Sequence, residues 1–173
     1  MALLSAPVAE IYHLTPHESV TVRNHSPDLL EVEGSWDANG SPPPPHLHPD
    51  QDERFEVLEG ELTAVVDGRE RTLKAGDTLD VPRGAVHKMW NSADDLTRAV
   101  WQTRPAGRTL DWWKAIDGLG RRHPPGRAGI SSPTRLAALL TEYDDVIRLA
   151  AGPKPIVDAV LSGLAAVGRR QGP

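Results

Sequence analysis

Residues 40–60 read GSPPPPHLHPDQDERFEVLEG, and this stretch carries two histidines at alternate positions. Alternate side chains of a β-strand share a face, so His46 and His48 are expected to point the same way, with Leu47 opposite. Glu53 follows a short segment in which the chain can return towards the same centre. The four prolines before His46 are interpreted as a stiff entry to the strand. Two histidines and one carboxylate suggest a metal site but do not define one.

A second stretch, residues 76–91, reads GDTLDVPRGAVHKMWN and adds another histidine. His87 shares a predicted strand face with Met89 and Asn91. Three neutral imidazoles and one carboxylate would leave a six-coordinate ion with positions open for water or substrate. Ligands of this kind suit Fe(II), Mn(II), Co(II), Ni(II), Cu(II) or Zn(II).

The two stretches resemble the two motifs of the cupin superfamily. The first motif, G-x5-HxH-x4-E-x6-G, is matched by Gly40, His46, His48, Glu53 and Gly60. The second, G-x5-PxG-x2-H-x3-N, is matched by Gly76, Pro82, Gly84, His87 and Asn91. Fifteen residues separate the motifs, as in small bacterial-type cupins, and the resemblance covers roughly residues 20–104. Matches in register across two motifs are specific for a fold and a metal site, and much less specific for a reaction.

The resemblance implies an all-β fold, an antiparallel cupin β-barrel (double-stranded β-helix or jelly roll), with C-terminal α-helices. It implies that one divalent transition metal ion per barrel (Fe, Mn, Ni, Zn, Co or Cu) is held by His46, His48, Glu53 and His87. Glu53 could also act as the catalytic base if it left the metal, as in flavonol-cleaving cupins. Glu56 is the competing carboxylate, but its spacing to Gly60 is wrong and it falls on the opposite face of the strand. Cupins are commonly dimers, so a homodimer is expected, and the helical C-terminus is similar to that of cupins related to quercetin dioxygenases.

The composition is that of a globular protein, with 173 residues, 39% hydrophobic and 25% charged side chains. The chain has no cysteine, so a metal must be held by His, Asp, Glu or backbone groups, and the cytoplasm is the expected location. Residues 1–104 carry a net charge of −9 and residues 105–173 one of +4. The acidic part argues against nucleic-acid binding, and no apolar stretch is long enough for a membrane span. The basic tail is expected to pack against the acidic body.

Two regions are expected along the chain. Residues 1–104 should form the barrel domain with an N-terminal arm, and residues 105–173 a helical extension that packs on the barrel or on a partner subunit. In the first region, Asp67-Gly68 between two extended runs predicts a type I′ hairpin. In the second, apolar spacing predicts helices over 109–119, 134–150 and 155–169, with a linker rich in Gly, Pro and Arg at 121–132. Trp112 and Trp113 are expected to anchor the first helix.

Four side chains are predicted to line a substrate pocket. Phe55 and Met89 share strand faces with the expected ligands, and Trp36 and Trp101 are further candidates, although large aromatic side chains more often serve packing alone. The segment 50–52, Asp-Gln-Asp, is interpreted as a solvated loop at the mouth of the barrel.

Three functions agree with these features. The first is a metal-dependent oxidoreductase, dioxygenase-like, that acts on a small organic substrate and uses the ion as Lewis acid or electron conduit. The second is a metal-dependent isomerase, lyase or cyclase in which the ion polarises a carbonyl group and no oxygen is consumed. The third is a non-catalytic small-molecule binding module that uses the metal to hold the barrel together.

Overall fold

Two antiparallel sheets and three helices make up the part of the chain that the structure, a computed structural model, describes: residues 10–121 and 133–170. The strands are β1 (Ile11–Thr15), β2 (Glu18–Ser26), β3 (Leu29–Trp36), β4 (His46–Leu47), β5 (Asp52–Glu59), β6 (Glu61–Val66), β7 (Arg69–Lys74), β8 (Thr78–Val81), β9 (His87–Trp90), β10 (Thr97–Arg104) and β11 (Arg148–Leu149). The helices are α1 (Thr109–Arg121), α2 (Pro133–Glu142) and α3 (Lys154–Arg170). One sheet has the order β1-β2-β3-β10-β5-β8 and the other β11-β4-β9-β6-β7. The predicted jelly roll with C-terminal helices is confirmed.

Side chains from both sheets form one apolar cluster between them. On β5 the burial alternates, so that Glu53, Phe55 and Val57 lie inside and Glu56 is exposed. Phe55 is fully buried and belongs to a cluster that includes Leu62 of β6 in the opposite sheet. The strand period of two therefore places Glu53, and not Glu56, in the interior.

Two turns around β6 depend on left-handed backbone conformations. Gly60, between β5 and β6, has a φ of 76°, and a Cβ atom at this position would lie 2.5 Å from the carbonyl oxygen of Leu96. Only glycine meets both conditions. Asp67 and Gly68 have φ values of 47° and 78°, the two consecutive positive angles of a type I′ turn. The predicted hairpin is confirmed as β6–β7.

The C-terminal helices pack on the six-stranded sheet of the same chain. A second apolar cluster combines Val20 and Val32 of the sheet with Trp113 of α1 and Leu140 of α2. Trp112 is also buried in this cluster, so the tryptophan pair anchors α1 on the barrel. Apolar burial carries this contact.

The charged side chains of the helical region contribute local pairs. Arg108 pairs with Asp145 at 3.2 Å and Arg148 with Asp144 at 3.0 Å, all four within the C-terminal region itself. Because such half-exposed pairs are worth little, they position turns rather than bind the tail to the acidic body.

The second helix is shorter than predicted. It ends at Glu142, and a turn in which the Val146 amide donates to the Tyr143 carbonyl leads into β11. The prediction of a helix over 134–150 was wrong in its second half. Val146 is buried in a turn, and Ile147, in the extended segment that follows, is partly buried against the same cluster. Apolar spacing alone did not distinguish these alternatives. The predicted linker, except for its first residue, lies outside the described residues.

The third helix forms as predicted, but much of its apolar surface is exposed. Ala165 is buried and Leu161 packs against the second cluster. In contrast, Ile156 is 61% and Val160 56% exposed. Within residues 10–121 and 133–170, no helix combines the length and apolarity needed to cross a membrane.

Gln51 shows that the predicted solvated loop is wrong at its centre. Its side chain is only 3% exposed, and its amide group donates to the carbonyl oxygens of Pro105 and Ala106 and to the hydroxyl oxygen of Thr109, at 2.6 to 3.0 Å. Three acceptors from the start of the helical region make a buried amide favourable here. Gln51 thus fastens the beginning of α1 to the barrel.

Candidate metal centre

Three histidines from two neighbouring strands converge at one end of the barrel. His46 on β4 pairs directly with His87 on β9, and His48 follows β4 by one residue. One ring nitrogen of each lies within 4.8 Å of those of the other two. The ring centroids are 4.5 to 5.4 Å apart. The structure therefore brings together the three imidazoles that the motifs predict.

Backbone carbonyls determine which nitrogen of each ring faces the centre. The Nδ1 atom of His46 lies 3.0 Å from the Pro44 oxygen, that of His48 2.6 Å from the Val146 oxygen, and that of His87 3.0 Å from the Ala85 oxygen. A carbonyl oxygen only accepts hydrogen bonds, so each Nδ1 carries the proton and donates. When the rings are neutral, all three Nε2 atoms keep a free lone pair. This outer arrangement is typical of histidines that bind a metal.

Glu53 lies beside two of these Nε2 atoms. Its Oε2 is 3.0 Å from His87 Nε2 and its Oε1 is 3.4 Å from His48 Nε2. The indole N–H of Trp101 donates to Oε1 at 3.0 Å. Glu53 is almost completely buried. A buried carboxylate with this surrounding can complete a ligand set of three nitrogens and one oxygen.

The protonation of the centre follows from burial and mutual charge. Burial, together with the nearby His87 and His48, lowers the pKa of His46 to about 3. Burial alone would raise the pKa of Glu53, but the imidazoles of His48 and His87 outweigh it and bring the value to about 2. Burial also opposes a charge on His87, yet the Glu53 carboxylate raises the pKa of this ring. A metal ion must therefore displace a proton that Glu53 stabilises on His87.

Two buried atoms test whether these residues fit a metal ion. His48 Nε2 is inaccessible and has no hydrogen-bond partner among the described residues, and Glu53 Oε2 is equally buried with His87 Nε2 as its neighbour at 3.0 Å. Buried polar atoms are rarely left in this state unless a ligand, ion or water satisfies them. Imidazole nitrogens with a carboxylate suit a divalent transition metal ion. The residues present fit such an ion.

The centre opens into a cavity of about 210 Å³. The four predicted pocket residues, Trp36, Phe55, Met89 and Trp101, all line it. Phe55 and Trp101 stack with centroids 5.2 Å apart, and Trp101 also meets Trp113 of α1 at 4.9 Å. The contact of these side chains with a substrate stays a prediction.

The C-terminal region supplies one wall of the cavity and orients one histidine. Sequence reasoning missed both of these roles. Side chains of α1, α2 and β11 line the cavity, among them Ile116, Leu140 and Leu149. β11 pairs with β4, and the Val146 oxygen holds His48. No motif signals this role, because the acceptor is a backbone atom 98 residues away from His48.

Glu18 is a second residue that sequence reasoning missed. It is the first residue of β2, pairs with Trp36 on the neighbouring strand β3, and lines the cavity. It lies before both motifs, so no spacing pointed to it. Only its position in the sheet reveals it.

Comparisons with known proteins agree with this fold. The family model of the cupin domain matches residues 36–103. The chain is 44% identical over 63 residues to the oxidoreductase iacF of Pestalotiopsis fici, and 52% identical over 68 residues to the uncharacterized protein YdbB of Bacillus subtilis. These matches cover 34% and 39% of this chain, and 31% and 54% of the relatives. The chain thus spans about a third to a half of the length of these relatives.

A solved structure supports the fold independently. An RmlC-like cupin from Shewanella frigidimarina superposes with a TM-score of 0.52 and 24% identity. The superposition covers 59% of this chain and 88% of that protein. Both cupin motifs lie within the region matched by the family model, and the histidines of these motifs meet at one centre. Residues 36–103 therefore match the cupin domain, and the two sheets have the double-stranded β-helix fold.

Proposed function

We propose that the protein is a metal-dependent oxidoreductase of dioxygenase type that acts on a small organic substrate. His46, His48, His87 and Glu53 are the proposed ligands of one divalent transition metal ion. The observation that carries the proposal is the orientation of the three imidazoles by backbone carbonyls, which leaves the Nε2 lone pairs beside a buried carboxylate.

The ligand set limits the metal and its role. Three imidazoles and one carboxylate suit iron, manganese, nickel, cobalt, copper or zinc. When bound, the ion supplies Lewis acidity and, if redox-active, a path for electrons. Trp101 holds the Glu53 carboxylate in place through its N–H group. Glu53 is also the proposed catalytic base once it has left the metal.

The lining of the cavity supports a neutral and mostly apolar substrate. Among the described lining residues there is no lysine and no arginine, while tryptophan, phenylalanine, leucine and isoleucine side chains are abundant. A phosphate or a polycarboxylate would find no lysine or arginine side chain there. A volume of about 210 Å³ suits a compact molecule, for example one with a single aromatic ring. Such a molecule needs at least one oxygen atom to reach the metal.

The name of one relative supports the reaction class. The fungal relative is named an oxidoreductase, and the match of 44% identity covers 31% of its length. This support applies to the class of reaction and not to the substrate.

Metal content followed by oxygen uptake tests the proposal. The protein is purified without a histidine tag, and its metal is measured by plasma mass spectrometry. We expect about one metal ion per chain, and oxygen uptake with catechol- or flavonol-like compounds when iron, manganese, nickel or copper is present. His87→Ala should lose most of the metal, whereas Glu56→Gln, an exposed carboxylate on the other face of β5, should retain it.

Two outcomes would contradict the proposal in different ways. Full metal retention in His87→Ala would refute the ligand set. Turnover with zinc in the absence of oxygen would identify an isomerase, lyase or cyclase, and binding without turnover a non-catalytic module.

Three further expectations remain proposals. The division into a barrel domain (residues 1–104) and a helical extension (residues 105–173) is tested by limited proteolysis. The homodimer is tested by light scattering on the purified protein. The cytoplasmic location is tested by cell fractionation.

A further inference from the structure

Glu18 lies in a wall shared by two cavities. On one side it lines the metal cavity, where it is the only carboxylic acid among the described lining residues. On the other side it lines a smaller cavity of about 180 Å³, together with His17 and Asp37. Trp36, which pairs with Glu18 from strand β3, lines both cavities as well. Glu18 therefore lies between the metal cavity and this second, outer cavity.

The outer cavity is in contact with solvent through polar side chains. His17 and Asp37 are each about 60% exposed, with His17 Nδ1 3.8 Å from an Asp37 carboxylate oxygen.

The surroundings of Glu18 suit a group that changes its protonation state. Burial raises the pKa of Glu18 to about 7, the neighbouring Trp36 lowers it in part, and the negative charge of Glu53 raises it. The other titratable groups that face it are His46, His48 and His87 in the metal cavity and the His17–Asp37 pair outside. An acid–base group works best when its pKa lies near the working pH.

Glu53 is less suited to this task while it binds the metal. Its carboxylate contacts two imidazoles and accepts the Trp101 N–H, and its pKa is lowered to about 2. A carboxylate stabilised so strongly is a weak base. Two carboxyl groups with different environments can divide the tasks of metal binding and proton transfer.

We propose that Glu18 is the acid–base residue of the metal cavity and that the cavity takes a hydroxylated, otherwise apolar compound such as a phenol or an enol. The inference rests on the proposed metal site. In the proposed step the substrate O–H bond breaks, its electron pair stays on the substrate oxygen, and the proton forms an O–H bond with a Glu18 carboxylate oxygen. The proton stays on Glu18 while the deprotonated compound is bound. The step is a proton transfer and requires no oxidant.

Proton release on binding of catechol to the zinc-loaded protein tests this step. Zinc is redox-inactive, so binding is measured without turnover. Isothermal titration calorimetry in buffers of different ionisation enthalpy gives the number of protons released. If Glu18 takes the proton of catechol, the wild type should release about one proton fewer than Glu18→Gln at about pH 8.5. Near pH 6, Glu18 already carries a proton, so both should release about one proton.

The controls separate the inference from the proposed function. Glu56→Gln, an exposed exchange of the same chemistry, should match the wild type at both pH values. Glu18→Asp, which keeps a carboxyl group, should restore part of the wild-type difference. Circular dichroism and zinc content establish that each variant is folded and loaded.

Each outcome decides a defined point. Equal proton release by wild type and Glu18→Gln at both pH values overturns the inference. If Glu18→Gln does not fold, the wild type alone decides the question. Release of about one proton by the wild type at both pH 8.5 and pH 6 would overturn the inference. If the wild type binds zinc but not catechol, the inference about Glu18 is overturned and the metal site stands. If the wild type does not bind zinc, both the proposed function and the inference are overturned.

Discussion

Replacing Glu53 with glutamine keeps the shape of the side chain and removes its charge, so it isolates the electrostatic part of metal binding. In the structure, Glu53 Oε2 lies 3.0 Å from His87 Nε2, an atom that faces the centre. An ion bound by that atom would lie about as near to the carboxylate, and at this distance two unit charges interact by about 5 kcal/mol in an effective dielectric of about 20. If desolvation cancels half of this energy, about 3 kcal/mol remains, which is roughly a 100-fold change in Kd. We expect the zinc affinity of Glu53→Gln to fall by at least this factor at about pH 8.

The effect should depend on pH with a defined sign. The Glu53 carboxylate raises the pKa of His87, so zinc must displace a proton from this ring at any pH below that value. The wild-type affinity therefore decreases as the pH falls through the raised pKa, by about tenfold per pH unit for one displaced proton. In Glu53→Gln this pKa is no longer raised, and the decrease begins at a lower pH. The gap between the two proteins should narrow as the pH is lowered.

Isothermal titration calorimetry of the metal-free proteins with zinc, at about pH 6, 7 and 8, measures both effects. Glu56→Gln is the matched control, because Glu56 lies on the same strand with its side chain exposed. A Kd for Glu53→Gln within threefold of the wild type at all three pH values would refute the ligand role of Glu53. A gap that widens at low pH would refute the proposed proton competition at His87.

Three further predictions concern stability. Gly60→Ala should lower the free energy of unfolding by about 3 kcal/mol, because a positive φ is combined with a 2.5 Å approach of the new Cβ atom to the Leu96 carbonyl oxygen. Gly68→Ala is the control, because Gly68 has nearly the same φ but no neighbour within 4 Å of such a Cβ atom. It should cost only about 1 kcal/mol. Chemical denaturation measures both, and equal losses would contradict the steric part of the argument. Gln51→Leu should cost about 2–3 kcal/mol in the same assay because it leaves buried acceptors at the start of α1 unsatisfied, and a loss below about 0.5 kcal/mol would exclude that role. The metal-free protein should lose stability as the pH falls from about 6.5 to about 3, because the unfolded chain binds a proton at His46 that the folded chain excludes. His46→Gln should flatten this part of the profile, and parallel curves for the two proteins would show that His46 is not desolvated.

Much of the barrel and its centre could be predicted because their signals are local. Strand alternation places His46 and His48 on one side, and it separates Glu53 from Glu56 three residues later. Gly60 and Asp67-Gly68 mark turns that need left-handed backbone angles, and these angles are present. Each of these features depends on residues close in sequence, so spacing is sufficient to predict it.

The remaining features depend on segments that are distant in the chain. Nothing near Gln51 indicates that it will be covered by the start of α1, and nothing near Val146 indicates that its backbone will leave the helix to pair beside β4. Apolar spacing gave the wrong end for α2 because a buried turn and a buried helix require the same kind of side chains.

The sequence by itself therefore determined the cupin resemblance, the barrel fold and the candidate ligands, because paired motifs specify turns and strand faces. Only the tertiary structure decided that the Val146 carbonyl orients His48, that the helices line the cavity, and that Glu18 lies between two cavities. The physical reason is the same for all three. Orientation, enclosure and desolvation arise where segments far apart in the chain meet, and no local pattern of residues records which segments those will be.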